Sequence, residues 1–420
     1  MKARALFKLA ARSVGRNARR SALTAAAMAL GLALLIFSRA LAEGGHEQWI
    51  DSAVRLGTGH VAIQAPEYLE TGRIEHRLDS SDVARAAGAL EAPELSGLVA
   101  RWTQRLSVNG LASSAASALP VRVEGVDPER EAAFSTLPGL LQEGRYLEPG
   151  DKLAAFIGVE LAHRLELEVG DRFVLTAQAA TGEVEGQLAR VVGTFRTGVQ
   201  EIDEGIVHVP LPTARAWLAA PGAATTVAVL LASSRRTDEA VETLRARLDG
   251  DRGIRVLGWP EAQPDLESGV KIDDWGDGIF HTILFAIVAL AILNAVMMSV
   301  LSRQREFGIL QAIGLTGMDT SLVVFLEGLF LTAASGVAGM LLGFAFTWGF
   351  FRNGLDFSGM VSSEMEFSGG IIDPVIVPIF HFGQVLLSAV TIAIIGTLAS
   401  LYPAWRASRL DVAEAMKFEQ

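Results

Sequence analysis

Apolar positions concentrate in four long runs, and nearly all of the charge lies between them. The runs are 21–41 (SALTAAAMALGLALLIFSRAL), 279–301 (IFHTILFAIVALAILNAVMMSVL), 321–351 (SLVVFLEGLFLTAASGVAGMLLGFAFTWGFF) and 383–402 (GQVLLSAVTIAIIGTLASLY). Roughly 20 helical residues cross the hydrocarbon of a bilayer, so each run predicts a transmembrane helix. The third would be about 46 Å long at about 1.5 Å per residue, which predicts tilt or continuation past the bilayer. The first run follows seven Lys/Arg and no acid in residues 1–20, and its Ala40-Leu41-Ala42 end also suits a cleavable signal peptide. Arg39 interrupts that site and the run is long for such a signal, so an uncleaved span is expected.

Between runs one and two the period shortens. Strand-like stretches recur over 42–278: HVAIQ (60–64), LPVRVEGVD (119–127), DRFVLTA (171–177), ARVVGTF (189–195) and GIVHVPL (205–211), bounded by Gly, Pro and Asp. Helical patterns lie between them, GVELAHRLEL (158–167) and TDEAVETLRARLDG (237–250). The second carries Ala240, Val241, Leu244 and Leu248 on one face, with Thr237 or Asp238 as its cap. ATTVAVLLA before it and GIRVLGW after it complete a strand–helix–strand unit. The expected fold class is therefore an α-helical membrane protein with four transmembrane helices and a large mixed α/β domain inserted between helices 1 and 2.

Composition separates in the same way. The chain has 420 residues, a mean hydropathy of +0.35 and 20% charged residues, values that fit a membrane part joined to a soluble one. Positive charge faces the cytoplasm, so Lys2, Arg4, Lys8, Arg12, Arg16, Arg19 and Arg20 place the N-terminus inside. The insert 42–278 holds 37 acidic and 22 basic residues, a net of −15, and belongs outside. Loop 302–320 has Arg303 and Arg305 against Glu306 and Asp319 and falls inside. Loop 352–382 is acidic and falls outside, and the tail 403–420, with Arg406, Arg409 and Lys417, is inside again. All five compartments agree with one alternating topology. The N-terminal segment 1–20, with Leu6, Phe7 and Leu9 among its bases, suits either a helix on the anionic inner leaflet or a topology signal.

Several chemistries are excluded or unsupported. There is no cysteine, hence no disulfide framework and no cysteine zinc site. A net charge of −11 argues against nucleic acid as a partner. The seven histidines show no pair at metal-ligand spacing, and no Gly-x-Ser-x-Gly elbow appears. Glu201, Asp203 and Glu204 read as a solvated turn rather than a cation site. None of the five lysines follows a glycine, so the phosphate-cradling Gly-x-x-x-x-Gly-Lys-Ser/Thr loop is absent from the chain. No catalytic residue, metal or cofactor is expected in it, and nucleotide energy would come from a partner.

The short inside loop, SRQREFGILQAIGLTG (302–317), is patterned beyond a connector's needs. Residues 303–314 predict a short helix with Phe307, Leu310 and Ile313 on one side, while Gly314 and Gly317 allow a turn into span three. Within span three, Glu327 is an expensive intramembrane charge, expected to snorkel or to pair with Arg303 or Arg305. Gly336, Gly339 and Gly343 place small residues on nearby faces, and Gly339–Gly343 has the spacing that permits close helix approach, within one chain or between two.

The layout and four stretches resemble the permease subunits of the macrolide-exporter and lipoprotein-releasing ABC transporter superfamily, which shares its three-span module with the cell-division protein FtsX. The stretches are ARSVGRNARRSALTAAAMALGLAL, the segment 141–175 (LQEGRYLEPGDKLAAFIGVELAHRLELEVGDRFVL), SRQREFGILQAIGLTGMDTSLVVFLEGLFL, and SLYPAWRASRLDVAEAMKFE at 400–419. Residues 191–218 look more similar to the lipoprotein-releasing (LolC/LolE-like) branch than to the macrolide exporters. The resemblance implies an inner-membrane protein of a two-membraned bacterium with residues 42–278 in the periplasm. It implies a separate P-loop ATPase in two copies, carrying the ATP and magnesium, since only a basic segment of twenty residues precedes span one. It also implies a second permease protomer, the same or related, and a periplasmic carrier or adaptor. Arg303, Gln304, Arg305, Glu306, Phe307, Gly308, Ile309, Leu310, Ala312, Ile313 and Gly314 would form the helix that couples to the ATPase. Glu327 would make a structural or coupling pairing, and Tyr402, Pro403, Ala404 and Arg406 would be the C-terminal motif. The implied substrates are lipid-anchored proteins, then hydrophobic drugs or peptides. An FtsX-like signalling role, activating a cell-wall hydrolase, is disfavoured by the large external domain.

Overall fold

The computed structural model describes residues 7, 10, 12, 18–248, 253–357 and 375–409. They divide into two compact units, one with residues up to Gly45, Asp273–Asp356 and from Val375 onward, the other built on His46–Ile272. Most of segment 1–20, residues 358–374 of the second outside loop, and tail residues 410–420 lie outside the described residues.

Four helices are long and apolar enough to cross a membrane: α1 (Ala18–Leu56), α2 (Pro264–Ser302), α4 (Gly317–Phe351) and α5 (Phe382–Ser408), with the short α3 (Gln304–Ala312) between α2 and α4. Each of the four runs past its predicted span. Helix α1 continues beyond residue 41 through AEGGHEQWIDSAVRL, and α2 begins at Pro264 rather than at 279. Polar residues stop the hydrophobic pattern but not the backbone hydrogen-bond ladder, so apolar length underestimates helix length. Proline at the first position of α2 lacks only an N–H that the helix leaves unpaired. Helix α5 passes through a buried Pro403 and so extends beyond the expected span end at residue 402.

In the membrane unit, α4 buries residues that mostly step by four, Thr320, Val324, Gly328, Thr332, Gly339, Gly343 and Thr347. Helix α5 does the same with Ser388, Ile392, Gly396, Ser400 and Ala404. Stripes at this spacing form ridges that pack into a neighbour's grooves. Their hydroxyls return to the carbonyl four residues back, as in Thr332 Oγ1 to Gly328 O at 2.8 Å and Ser400 Oγ to Gly396 O at 2.7 Å. No polar atom of these side chains is thus left facing hydrocarbon. Leu341, Phe350, Leu387 and Ile394 stand exposed on the opposite faces, where lipid would meet them.

The second unit is built on a ten-stranded mixed sheet. Its strands are β1 (Val61–Gln64), β2 (Val99–Ser113), β3 (Ala118–Val126), β4 (Leu141–Gly144) and β5 (Ala154–Gly158). They continue with β6 (Arg172–Gln178), β7 (Val184–Phe195), β8 (Ile206–Pro210), β9 (Thr226–Leu231) and β10 (Arg255–Gly258). The order is β10-β1-β9-β2-β3-β8-β5-β7-β4, with β6 paired to β2 and β7. The strand–helix–strand unit is present, with β9 and β10 on either side of β1 and both antiparallel to it. The intervening helix Thr237–Leu248 buries Ala240, Val241, Leu244 and Leu248. One core lies around β1, β9 and β10, another around β3, β5, β6, β7 and β8. Strand β2, fifteen residues long, pairs along one edge with β9 and then β6 and along the other with β3, joining the two halves. Its sequence, VARWTQRLSVNGLAS, mixes Arg, Gln, Asn and Gly with its apolar positions, which hides it from β propensity.

Candidate functional site

The junction between α2 and α4 gathers most of the predicted site residues. The backbone leaves helical geometry for one residue at Arg303, which caps α3, and Gly314 ends that helix with φ +110°, a conformation that favours glycine. Thr316 then starts α4 with a reciprocal cap: its hydroxyl accepts from the Asp319 N–H at 3.1 Å, and Asp319 accepts from the Thr316 N–H at 3.1 Å. Both ends of the short helix are therefore set by local chemistry.

Its inner side is held by a buried ion pair. Arg303, 7% exposed, pairs through Nη1 with Glu327 of α4 and through Nε with Glu306 at 2.9 Å. The guanidinium lies 4.9 Å from the centroid of the Phe307 ring. Phe307 is 1% exposed and belongs to one core with Val300, Val324, Ala404 and Ala407. Gln311 adds a hydrogen bond to the Thr320 hydroxyl at 3.2 Å. Of the two pairing candidates for Glu327, the structure selects Arg303 and leaves Arg305 on the exposed side.

The outer side of the turn is apolar. Ile309 is 48% exposed, Ile313 74% and Met318 77%, with Arg305 and Ala312 also exposed. This corrects the expectation that Phe307, Leu310 and Ile313 share a side. Steps of three residues turn a helix through about 300°, so each step falls back about 60°. Ile313 therefore sits well round from Phe307 and close to Ile309, four residues before it. Gly308 is buried, Gln304 and Leu310 are half-buried, and Leu310 packs against the Phe307 core. Gly317 is not a turn residue either. It opens α4, and a Cβ there would lie 2.5 Å from the Ser408 carbonyl oxygen of α5.

The predicted small residues divide. A Cβ on Gly339 would lie 2.8 Å from Ala29 O and Leu32 Cβ, and one on Gly343 would lie 3.1 Å from Ala33 Cα, so both are contacts between α4 and α1 of the same chain. Gly336 meets nothing and lies outside that seam. Gly328 and Gly396 are not among the expected packing residues, yet their side-chain positions are filled by Ser400 and Thr332 across the α4–α5 seam. Their recurrence at steps of four with Thr332 and Ser400 was the available signal. In the C-terminal motif Pro403 and Ala404 are buried, while Tyr402 and Arg406 are exposed. From the N-terminal segment, Ala10 packs against Val323, and the Phe7 ring meets Phe330 edge-on at 4.9 Å.

The external unit holds a buried charged network that the sequence did not announce. Arg105 of β2, 3% exposed, donates to Glu131 through Nη2 at 2.5 Å and Nε at 3.2 Å. It also donates to the carbonyls of Arg55 (3.4 Å), Leu56 (3.2 Å) and Gly57, the last turn of α1. Glu131 is fully buried and accepts from the Thr103 hydroxyl at 3.1 Å. Nearby, Glu124 lies 3.1 Å from Arg122 and 3.5 Å from His208, whose Nδ1 is 3.2 Å from the Tyr146 hydroxyl. Burial opposes the charge on Glu124, but Arg122 and Arg105 hold its carboxyl well below the usual range. Burial, with Glu131 beside it, pushes the Tyr146 phenol well above its ordinary value.

The expected turn at Glu201, Asp203 and Glu204 is instead a short helix, Gln200–Gly205, with Asp203 buried. Asp203 accepts from the Thr197 N–H and hydroxyl at 2.8 Å and from the Gly198 N–H at 3.1 Å, and Glu204 pairs with Arg164. The carboxylate is buried because it satisfies the preceding loop.

The chain is 26% identical over 314 residues to the lipoprotein-releasing system transmembrane protein LolC of Xylella fastidiosa, covering 71% of this chain and 73% of that protein. It is 25% identical to the macrolide export ATP-binding/permease protein MacB of Rhodospirillum rubrum over 98% of this chain and 60% of that protein. The extracellular domain of the noncanonic ABC-type transporter YknZ aligns with 47% of this chain and 99% of that domain at 14% identity, with a TM-score of 0.33. Residues 21–247 match the MacB-like periplasmic core domain and residues 278–412 the FtsX-like permease C-terminal region. The chain belongs to this family: it is an ABC transporter permease of the LolC, MacB and FtsX type, with four long apolar helices and a MacB-like α/β domain between the first two.

Proposed function

We propose that this permease works in the inner membrane of a two-membraned bacterium, where two protomers assemble with two separate P-loop ATPase subunits and use ATP hydrolysis to extract lipoproteins for a periplasmic carrier. One observation carries the reading: α3 is fixed on one side and unsatisfied on the other. The Arg303–Glu327 pair and the Phe307 core bind it to α2, α4 and α5, so a push on α3 moves the spans. Ile309, Ile313 and Met318 leave an apolar patch facing away, bordered by Arg305, as a partner's groove requires. The spans would pass the movement to the external domain without any substrate crossing the bilayer.

The LolC relatives support lipoprotein as the cargo. The match to MacB over 98% of the chain favours efflux of hydrophobic drugs or peptides as the second reading. Purification of the full-length chain from membranes with its ATPase, followed by hydrolysis assays with added lipoprotein or drug, separates them. Stimulation by lipoprotein, with its release to a soluble carrier, is expected. Stimulation by drugs alone would select efflux, and recovery of no ATPase would remove the transporter reading.

A further inference from the structure

We propose that Arg105 and Glu131 form the clamp through which α1 drives the external sheet, making Arg105 a positioning residue for transport. This rests on the coupling reading above and goes beyond it by naming where helix movement enters the domain. A helix ends in unpaired carbonyls carrying a partial negative charge. At the end of α1, Gly57 N–H returns to Ala53 O at 2.8 Å and Gly59 N–H to Val54 O at 2.8 Å, which closes the turn. The carbonyls of residues 55–57 then point to a single guanidinium, that of Arg105. Glu131 holds the opposite edge of that guanidinium with two hydrogen bonds, and Phe134 stacks near it at 5.2 Å.

Two features distinguish this from an ordinary buried pair. A planar fork with five donors is the one side chain that serves a carboxylate and several carbonyls together; an ammonium would satisfy the charge of Glu131 without spanning the carbonyls. The strand that carries Arg105 is also the one bonded to both halves of the sheet. Displacement of the helix end is thereby delivered to β2, from which it reaches β9 on one side and β3 on the other.

The test uses the full-length chain with its ATPase in lipid nanodiscs, comparing backbone hydrogen exchange of β2 and β9 between nucleotide-free and ATP–vanadate-trapped complexes. Arg105→Lys keeps the charge and loses the fork. Glu131→Gln loosens the fork from the other side. Val108→Ala, in the core of the same strand, weakens the sheet without touching the helix end. ATP hydrolysis is expected to stay near the wild-type rate in all three, while the nucleotide-dependent exchange difference falls about fivefold or more in the two clamp variants alone. An unchanged difference in Arg105→Lys overturns the clamp. An equal loss in Val108→Ala also overturns it, because general sheet stability then accounts for the effect. A wild-type complex that hydrolyses ATP with no exchange difference overturns the coupling reading itself.

Discussion

Arg303 and Glu327 are each less than a tenth exposed and pair with one another beside an apolar core, with Glu306 on the same guanidinium. Removing one member of a buried pair costs about 3–5 kcal/mol, whereas replacing both with apolar groups is often tolerated. Glu327→Leu and Arg303→Leu should each lower the unfolding stability of the detergent-solubilised protein by about 3 kcal/mol, and the double variant by clearly less than their sum. Additive losses would mean that the two side chains act independently. Glu327 was legible in the sequence because a charge inside a span demands a partner, and only two arginines were near. Arg105 was not legible. Glu131 stands 26 residues away and the α1 carbonyls about 50 away, and nothing local in LSVNG or TQR marks a clamp.

Elements were legible where one periodicity dominated. The four spans and the helix Thr237–Leu248 follow directly from apolar runs or a single apolar face. Helix α3 was legible as an element but not in its rotation, because a 300° step read as a straight stripe puts Ile313 inward. Continuation of α1 and α2 through polar sequence was hidden, since hydropathy marks the bilayer and not the helix end. The small-residue seams were half legible: Gly339 and Gly343 face α1, but Gly336 shares their spacing without sharing their face. A larger side chain in a filled seam costs about 1–3 kcal/mol. Gly339→Leu should therefore destabilise the protein by about that amount, while Gly336→Leu stays near wild type in the same unfolding assay. Equal effects at both positions would place the seam elsewhere.

Across the whole molecule, the alternation of charge along the chain and the division into two compact units tell one story. Topology came from the placement of Lys and Arg, a signal that survives without any fold. The order of the ten strands could not come from sequence, because β6 pairs with β2, some sixty residues earlier, and such distant pairings leave no local trace. Family membership explains the plan of the chain but does not locate the contact proposed with an ATPase. The central claim places that contact on the outer side of α3, at Ile309 and Ile313. Incorporation of a photo-crosslinking amino acid at either position in the full-length protein, with Val184 of the external sheet as control, measures it directly. Irradiation of intact cells should join positions 309 and 313 to a subunit bearing a P-loop, and position 184 to none. Capture of lipid alone at 309 and 313, with no ATPase, would contradict the account.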